Sequence, residues 1–145
     1  MSLLQTSGLT RRYGGLTAVD NVDFVLPEGQ VHALIGPNGA GKSTFVGMVS
    51  GRIEASEGRV EFEGRDVTAL PAHKRIRAGM AYTFQITSIY ARLSLFDNVA
   101  LAMGARDRDA AIEALARVDL DDRADQIAGD LSYGHQRLLE IAMGV

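Results

Sequence analysis

Strand-like alternation of apolar and polar residues dominates the first part of this 145-residue chain, and helix-like spacing dominates the last part. Leu3 to Tyr13 predicts a first strand, Gly14-Gly15 a turn, and Val19 to Leu26 a second strand with Val22, Phe24 and Leu26 on one face. Pro27-Glu28-Gly29 predicts another turn. It leads into Val31-His32-Ala33-Leu34-Ile35, whose largely apolar character reads as a short buried strand. Phe45 to Val49 reads as a buried helix, and Arg59 to Gly64 alternates as a half-exposed strand should. Pro71 opens a short basic helix, Ala72 to Ala78, which Gly79 ends; Met80 to Phe84 is a further strand candidate.

The pattern changes after Gln85. Ser94 and Asp97 have capping-box spacing ahead of apolar Val99 and Leu101, so a helix is expected to start there. Arg106 to Val118 predicts an amphipathic helix with Ala111, Leu115 and Val118 on one face. Asp119 to Gly129 reads as an acidic connector, and a last helix is expected from about Gly134 onward. One domain over 1–145 is expected, with a β-rich part at 1–85 and a helical part at 86–145.

Between the apolar run and the first helix stands Gly36-Pro37-Asn38-Gly39-Ala40-Gly41-Lys42-Ser43-Thr44, of the form G-x-x-x-x-G-K-S. A glycine-rich loop entering a helix directs consecutive backbone N–H groups at one point, where the helix dipole and the Lys42 charge also favour an anion. Gly36, Gly39 and Gly41 let the backbone curl where side chains would interfere. Ser43 offers a hydroxyl to a magnesium ion on the outer phosphates. The stretch is the pattern of a nucleoside-triphosphate cradle, and by itself it leaves ATPase, GTPase and kinase chemistry open.

Composition narrows the partners. The net charge of −3 argues against a nucleic-acid partner held by a general basic field. The absence of cysteine excludes disulfides and thiolate metal sites. The start lacks a basic region followed by a long apolar run, so no signal peptide is expected. The run Val99–Met103 is far shorter than a membrane span, so any membrane link is expected to go through a partner. His32 is expected on the sheet or in the core, the cluster Lys74, Arg75 and Arg77 on a solvated helix face, and Met48, Met80 and Met103 in the core.

Asp130-Leu131-Ser132-Tyr133-Gly134-His135-Gln136-Arg137 resembles the signature motif of ABC-type ATPases, L-S-G-G-Q. Its position at the start of a helix supplies a second anion-binding helix end. The resemblance implies that Ser132, Tyr133, Gly134 and His135 face the ATP held by a second ABC ATPase subunit. Tyr13 matches the family's adenine-stacking aromatic, and Gln85 matches the glutamine that senses magnesium and the attacking water. It further implies ATP and Mg2+ as cofactors, Lys42 and Gln85 as catalytic residues, and Ser43 and Gln85 as the magnesium side. Gly36, Asn38, Gly39, Ala40, Gly41, Lys42, Ser43 and Thr44 would hold the phosphates. The implied fold is α/β, a P-loop NTPase of the ABC type. It has an N-terminal antiparallel β portion, a parallel core sheet around the P-loop helix, and a helical subdomain.

The implied partners are transmembrane permease subunits and, indirectly, a solute-binding protein, with the subunit cytoplasmic and peripheral on the inner face of the membrane. Leu131-Ser132-Tyr133-Gly134, Leu95–Val99 and Arg12–Val19 look like branched-chain amino-acid importers and their urea-type relatives; ribose-type importers share several of these features. Tyr133 and His135 depart from the usual glycine and glutamine. In the family a strand carrying aspartate and glutamate follows the signature helix, and neither can be placed before Val145. The C-terminal part of the fold is therefore expected to be missing. The chain is expected to bind ATP with little turnover, and its open central sheet edge to invite association. The alternative is a non-transport ABC ATPase fragment acting as a structural or regulatory nucleotide-binding partner.

Overall fold

The computed structural model describes residues 2–83 and 88–144. These residues divide into two compact units, one ending at Met80 and the other beginning at Ala81.

The first unit is built on a four-stranded antiparallel sheet of order β2-β1-β3-β4, formed by β1 (Ser2–Tyr13), β2 (Leu16–Pro27), β3 (Glu57–Phe62) and β4 (Arg65–Asp66). The Gly14-Gly15 turn joins β1 to β2, placing Tyr13 opposite Leu16 and Thr6 opposite Phe24. On its other edge β1 pairs with β3, Thr6 opposite Val60. α1 (Lys42–Val49) lays Phe45 and Met48 on this sheet against Leu9, Val19, Val60 and Phe62. Of the residues that alternation puts on one face of β2, Val22 and Phe24 pack on this core, as do Val60 and Phe62 of β3.

The apolar run Val31–Ile35 does not form the expected strand. Residues 30–37 carry no helix or strand, and Val31 and Ile35 are 98% and 93% exposed. A strand exists only as one side of a ladder, and no strand among the described residues pairs with this run. The same reason applies to the strand candidate at Met80–Phe84: residues 80–83 are irregular, and Phe84 lies outside the described residues. All pairing among the described residues is antiparallel. His32 is also exposed rather than on a sheet face; its ring meets Phe24 edge-on at 5.5 Å and its Nε2 lies 3.0 Å from Gln30 Oε1.

α2 (Ala72–Arg77) follows Pro71 as the sequence predicts, but Arg75 is not part of a solvated face. It is 3% exposed, and its guanidinium donates to four backbone carbonyls. Met48 O and Val49 O, at 2.8 and 2.7 Å, end α1; Thr68 O and Leu70 O, both at 2.8 Å, belong to the connection from β4. A cation at the C-terminal end of a helix meets the negative end of its dipole and satisfies carbonyls that have no partner within the helix. Burial pushes the guanidinium pKa down, and the Asp66 charge opposes that shift. Arg75 therefore fastens the far end of the helix whose near end carries Lys42.

The second unit is helical: α3 (Leu95–Met103), α4 (Arg108–Ala116) and α5 (Tyr133–Met143). Ser94 caps α3 as its spacing predicts. Its hydroxyl oxygen accepts from the Asp97 N–H at 3.0 Å and its O–H donates to Asp97 Oδ2 at 2.9 Å, an arrangement worth about 1 kcal/mol. Leu95, Val99, Ala111, Leu115, Leu120 and Leu139 form the core. Asn98 is wholly buried and fully used, accepting from Tyr90 N–H and donating to the carbonyls of Tyr90 and Ser94. Met48 lies in the first unit's core as expected and Met80 packs against it, but Met103 is 38% exposed at the end of α3. The acidic connector holds two short 3₁₀ turns, Asp121–Arg123 and Ala128–Asp130. None of the helices described is long and apolar enough to cross a membrane.

Candidate functional site: a phosphate cradle and a capped signature helix

The cradle is local to the first unit. The first hydrogen bond of α1 runs from Phe45 N–H to Gly41 O at 2.8 Å, so the amides of Lys42, Ser43 and Thr44 precede the helical ladder, and no side chain caps them. Residues 36–40 are exposed, as is Ser43, while Lys42 and Thr44 are half-buried. Lys42 Nζ donates to the carbonyls of Gly36 at 2.5 Å and Pro37 at 2.8 Å, spanning the loop from within. A turn from Ala40 N–H to Pro37 O at 3.2 Å closes the curl around Asn38 and Gly39.

Two glycines are required here for different reasons. Gly39 has φ +83° and open space where a Cβ would stand, so only its backbone conformation demands glycine. Gly41 has φ +86°, and a Cβ there would stand 2.3 Å from Ala18 O of β2. The loop is therefore seated directly on the second strand. The chemistry of this donor set fits a polyphosphate: a bare helix end, a lysine ammonium already directed into the loop, and a serine hydroxyl at the helix start. It fits a magnesium ion at Ser43 for the same reason, since that ion takes few protein oxygens beside its phosphate ligands.

Tyr13 ends β1, two residues beyond Arg11, which pairs with Val19 next to the Gly41 contact. Tyr13 itself pairs with Leu16, two residues before Ala18 on β2. It is 44% exposed, and the Arg11 guanidinium stands over it, 4.5 Å from the ring centroid. Arg11 also donates to Glu54 O at 2.7 Å, which holds it in place. Sequence reasoning singled out Tyr13 and missed Arg11. The i, i+2 spacing along a strand, which puts both on one face, is the signal that could have found it.

The signature stretch lies in the second unit. Ser132 is the N-cap of α5; its Oγ accepts from His135 N–H at 3.4 Å and lies 2.8 Å from His135 Nδ1. His135 is thus tied to the serine that the resemblance assigns to phosphate. Ser132, Tyr133 and Gly134 are exposed, and nothing stands near Gly134. The α5 ladder begins with Gln136 N–H to Ser132 O at 2.9 Å, leaving the Tyr133 and Gly134 amides ahead of it. Behind this turn, Arg137 and Glu140 form a pair that the sequence reading did not single out, although opposite charges at i, i+3 on a helix signal it. Gln85 lies outside the described residues. Among the described residues no cluster of three or more His, Asp or Glu side chains could hold a metal.

Comparison with known proteins gives the family. A family model described as ABC transporter matches residues 19–145. The high-affinity branched-chain amino acid transport ATP-binding protein BraF of Pseudomonas aeruginosa is 35% identical over 97% of this chain and 63% of its own length. The lipopolysaccharide export system ATP-binding protein LptB of Escherichia coli K12 is 34% identical over 98% of this chain and 62% of its own length. The chain therefore spans less than two thirds of the length of these relatives. The crystal structure of the ADP conformation of MJ1267, an ATP-binding cassette of an ABC transporter, superposes with a TM-score of 0.89 at 28% identity, over 99% of this chain and 64% of that one. Cradle, capped signature helix and an alignment over nearly all its residues lead to one conclusion: this chain belongs to the ABC transporter family.

Proposed function

We propose that the chain is the ATP-binding portion of an ABC importer subunit that couples ATP binding and hydrolysis to solute uptake. The observation that carries this reading is the Lys42 ammonium bridging Gly36 and Pro37 carbonyls across a bare helix start. Lys42 exchanges those carbonyls for phosphate oxygens, the amides from Gly39 to Thr44 close on the same anion, and Tyr13 offers a platform for the base. Ser43 is the magnesium-side hydroxyl, joined by Gln85. When bound, the ion neutralises charge between the outer phosphates. Ser132 and Gly134, with Tyr133 and His135 beside them, meet the nucleotide of a second ABC ATPase subunit. Transmembrane permease subunits complete the assembly, with this subunit peripheral on the cytoplasmic face of the membrane.

The solute is a branched-chain amino acid or a related small polar molecule. Supporting this finer reading are the similarity to BraF and, at 35% identity, to the probable branched-chain amino acid transport ATP-binding protein LivG of Archaeoglobus fulgidus. Tyr133 within Leu131-Ser132-Tyr133-Gly134 supports it as well.

Titration of MgATP into wild-type and Lys42→Ala protein tests the cradle. Removing a charge-assisted donor is expected to weaken binding about 10- to 100-fold. Equal affinities would remove the cradle from the mechanism. Phosphate release is expected to be slow in both proteins, and rapid Lys42-dependent turnover would contradict the expectation of binding with little hydrolysis.

A further inference from the structure

One buried carboxylate ties the signature helix to the chain just beyond Gln85. Glu140 is 7% exposed and divides its oxygens between two partners. Oε1 accepts the Ser88 N–H at 2.5 Å, and Oε2 accepts from Arg137 at 2.8 Å. Arg137 donates its Nε–H to the Tyr133 hydroxyl oxygen at 3.2 Å and stands over the Tyr133 ring, 5.4 Å from the centroid. Spacings of four and three residues put Tyr133, Arg137 and Glu140 on one stripe of α5. At one end is a ring that is 63% exposed; at the other is a backbone amide of a different segment.

The three side chains constrain one another. A carboxylate as buried as Glu140 is tolerable only while its charge is matched, so the Arg137 position is set by Glu140. The guanidinium is also the group that Tyr133 holds, by ring face and by hydroxyl. Its pKa is raised, first by the hydrogen bond to Glu140 and next by that to Tyr133. Tyr133 is thus one of the groups that hold Arg137, and displacing it shifts the guanidinium that faces Glu140 and, through Glu140, the Ser88 amide.

We propose that Tyr133, Arg137 and Glu140 form a positioning relay that transmits the state of the signature turn to Ser88, the third residue after Gln85 in the chain. The relay gives a role to the tyrosine at a signature position where the family motif carries glycine, because a glycine has nothing to hold Arg137. Its use during ATP-driven pairing rests on the reading above, in which Ser132–His135 meet the partner's nucleotide; the link from Tyr133 to Ser88 does not.

Hydrogen exchange at the Ser88 amide, measured on the whole chain, tests it. Without nucleotide, Tyr133→Ala is expected to speed Ser88 exchange about tenfold, with the Leu115 amide of α4 unchanged as the control for an intact fold. Tyr133→Phe keeps the ring and loses the hydroxyl, so it should fall between. Glu140→Gln should also speed exchange, because a neutral amide no longer matches Arg137. Ser88 exchange in Tyr133→Ala within about twofold of wild type overturns the relay. A second arm adds saturating MgATP at concentrations that favour pairing. Slowing of Ser88 in the wild type but not in Tyr133→Ala supports the relay, and equal slowing in both overturns it. If MgATP leaves wild-type Ser88 unchanged while the variants still differ without nucleotide, the relay stands and the signature–nucleotide reading fails.

Discussion

Arg75→Met is expected to destabilise the first unit by about 3–5 kcal/mol, read as a lowered midpoint of chemical denaturation. Methionine fills most of the volume but removes the guanidinium donors from four carbonyls held at 2.7–2.8 Å, of which Met48 O keeps the Gly51 N–H at 3.2 Å. Two of those carbonyls end α1, so the helix that opens with Lys42 loses its fixed far end. Arg75→Lys should recover only part of the loss, because a compact ammonium cannot reach both α1 and the β4 connection in the way a planar fork does. A loss below about 1 kcal/mol in Arg75→Met would mean that water replaces the guanidinium freely, and the fastening role would be wrong.

Gly41→Ala should be the most damaging single-methyl change in the cradle. The added Cβ meets Ala18 O at 2.3 Å, and φ +86° is strained for any residue with a side chain. Strain and overlap together are expected to cost about 2–4 kcal/mol, and the loop must leave β2 to accommodate them, so MgATP binding should fall with stability. Gly39→Ala separates the two effects. Its φ of +83° carries the same strain, but the space for a Cβ is open, so a cost of about 1–2 kcal/mol is expected. Thermal or denaturant unfolding of the two variants checks this; equal losses would show that the contact with β2 contributes nothing.

What the sequence made legible was local. The Ser94 cap, the glycine-lysine loop, the Gly14-Gly15 turn and the starts of α2 and α5 each depend on residues within a few positions of one another. β2 and β3 were legible in part because alternation survives at Val22 and Phe24 and at Val60 and Phe62. The apolar run Val31–Ile35 misled for the opposite reason: its composition suits a strand, but a strand needs a neighbour far away in the chain, and composition does not supply one. Arg75 reads as one of three basic residues on a short helix until Met48, Val49, Thr68 and Leu70 gather around it. Arg11 and Glu140 were overlooked because what distinguishes them is the neighbour each one touches.

The pairing of β1 with β3 has a kinetic consequence. Contacts such as Thr6 with Val60 join residues more than fifty positions apart, and the glycine-lysine loop lies inside the span they close. The β1–β2 hairpin needs only its own turn, so it is expected to zip early, whereas closing the larger span carries the heavier entropic cost. During refolding, then, hairpin signals should recover before the glycine-lysine loop is ordered, and slowing the long-range closure should delay that ordering in proportion.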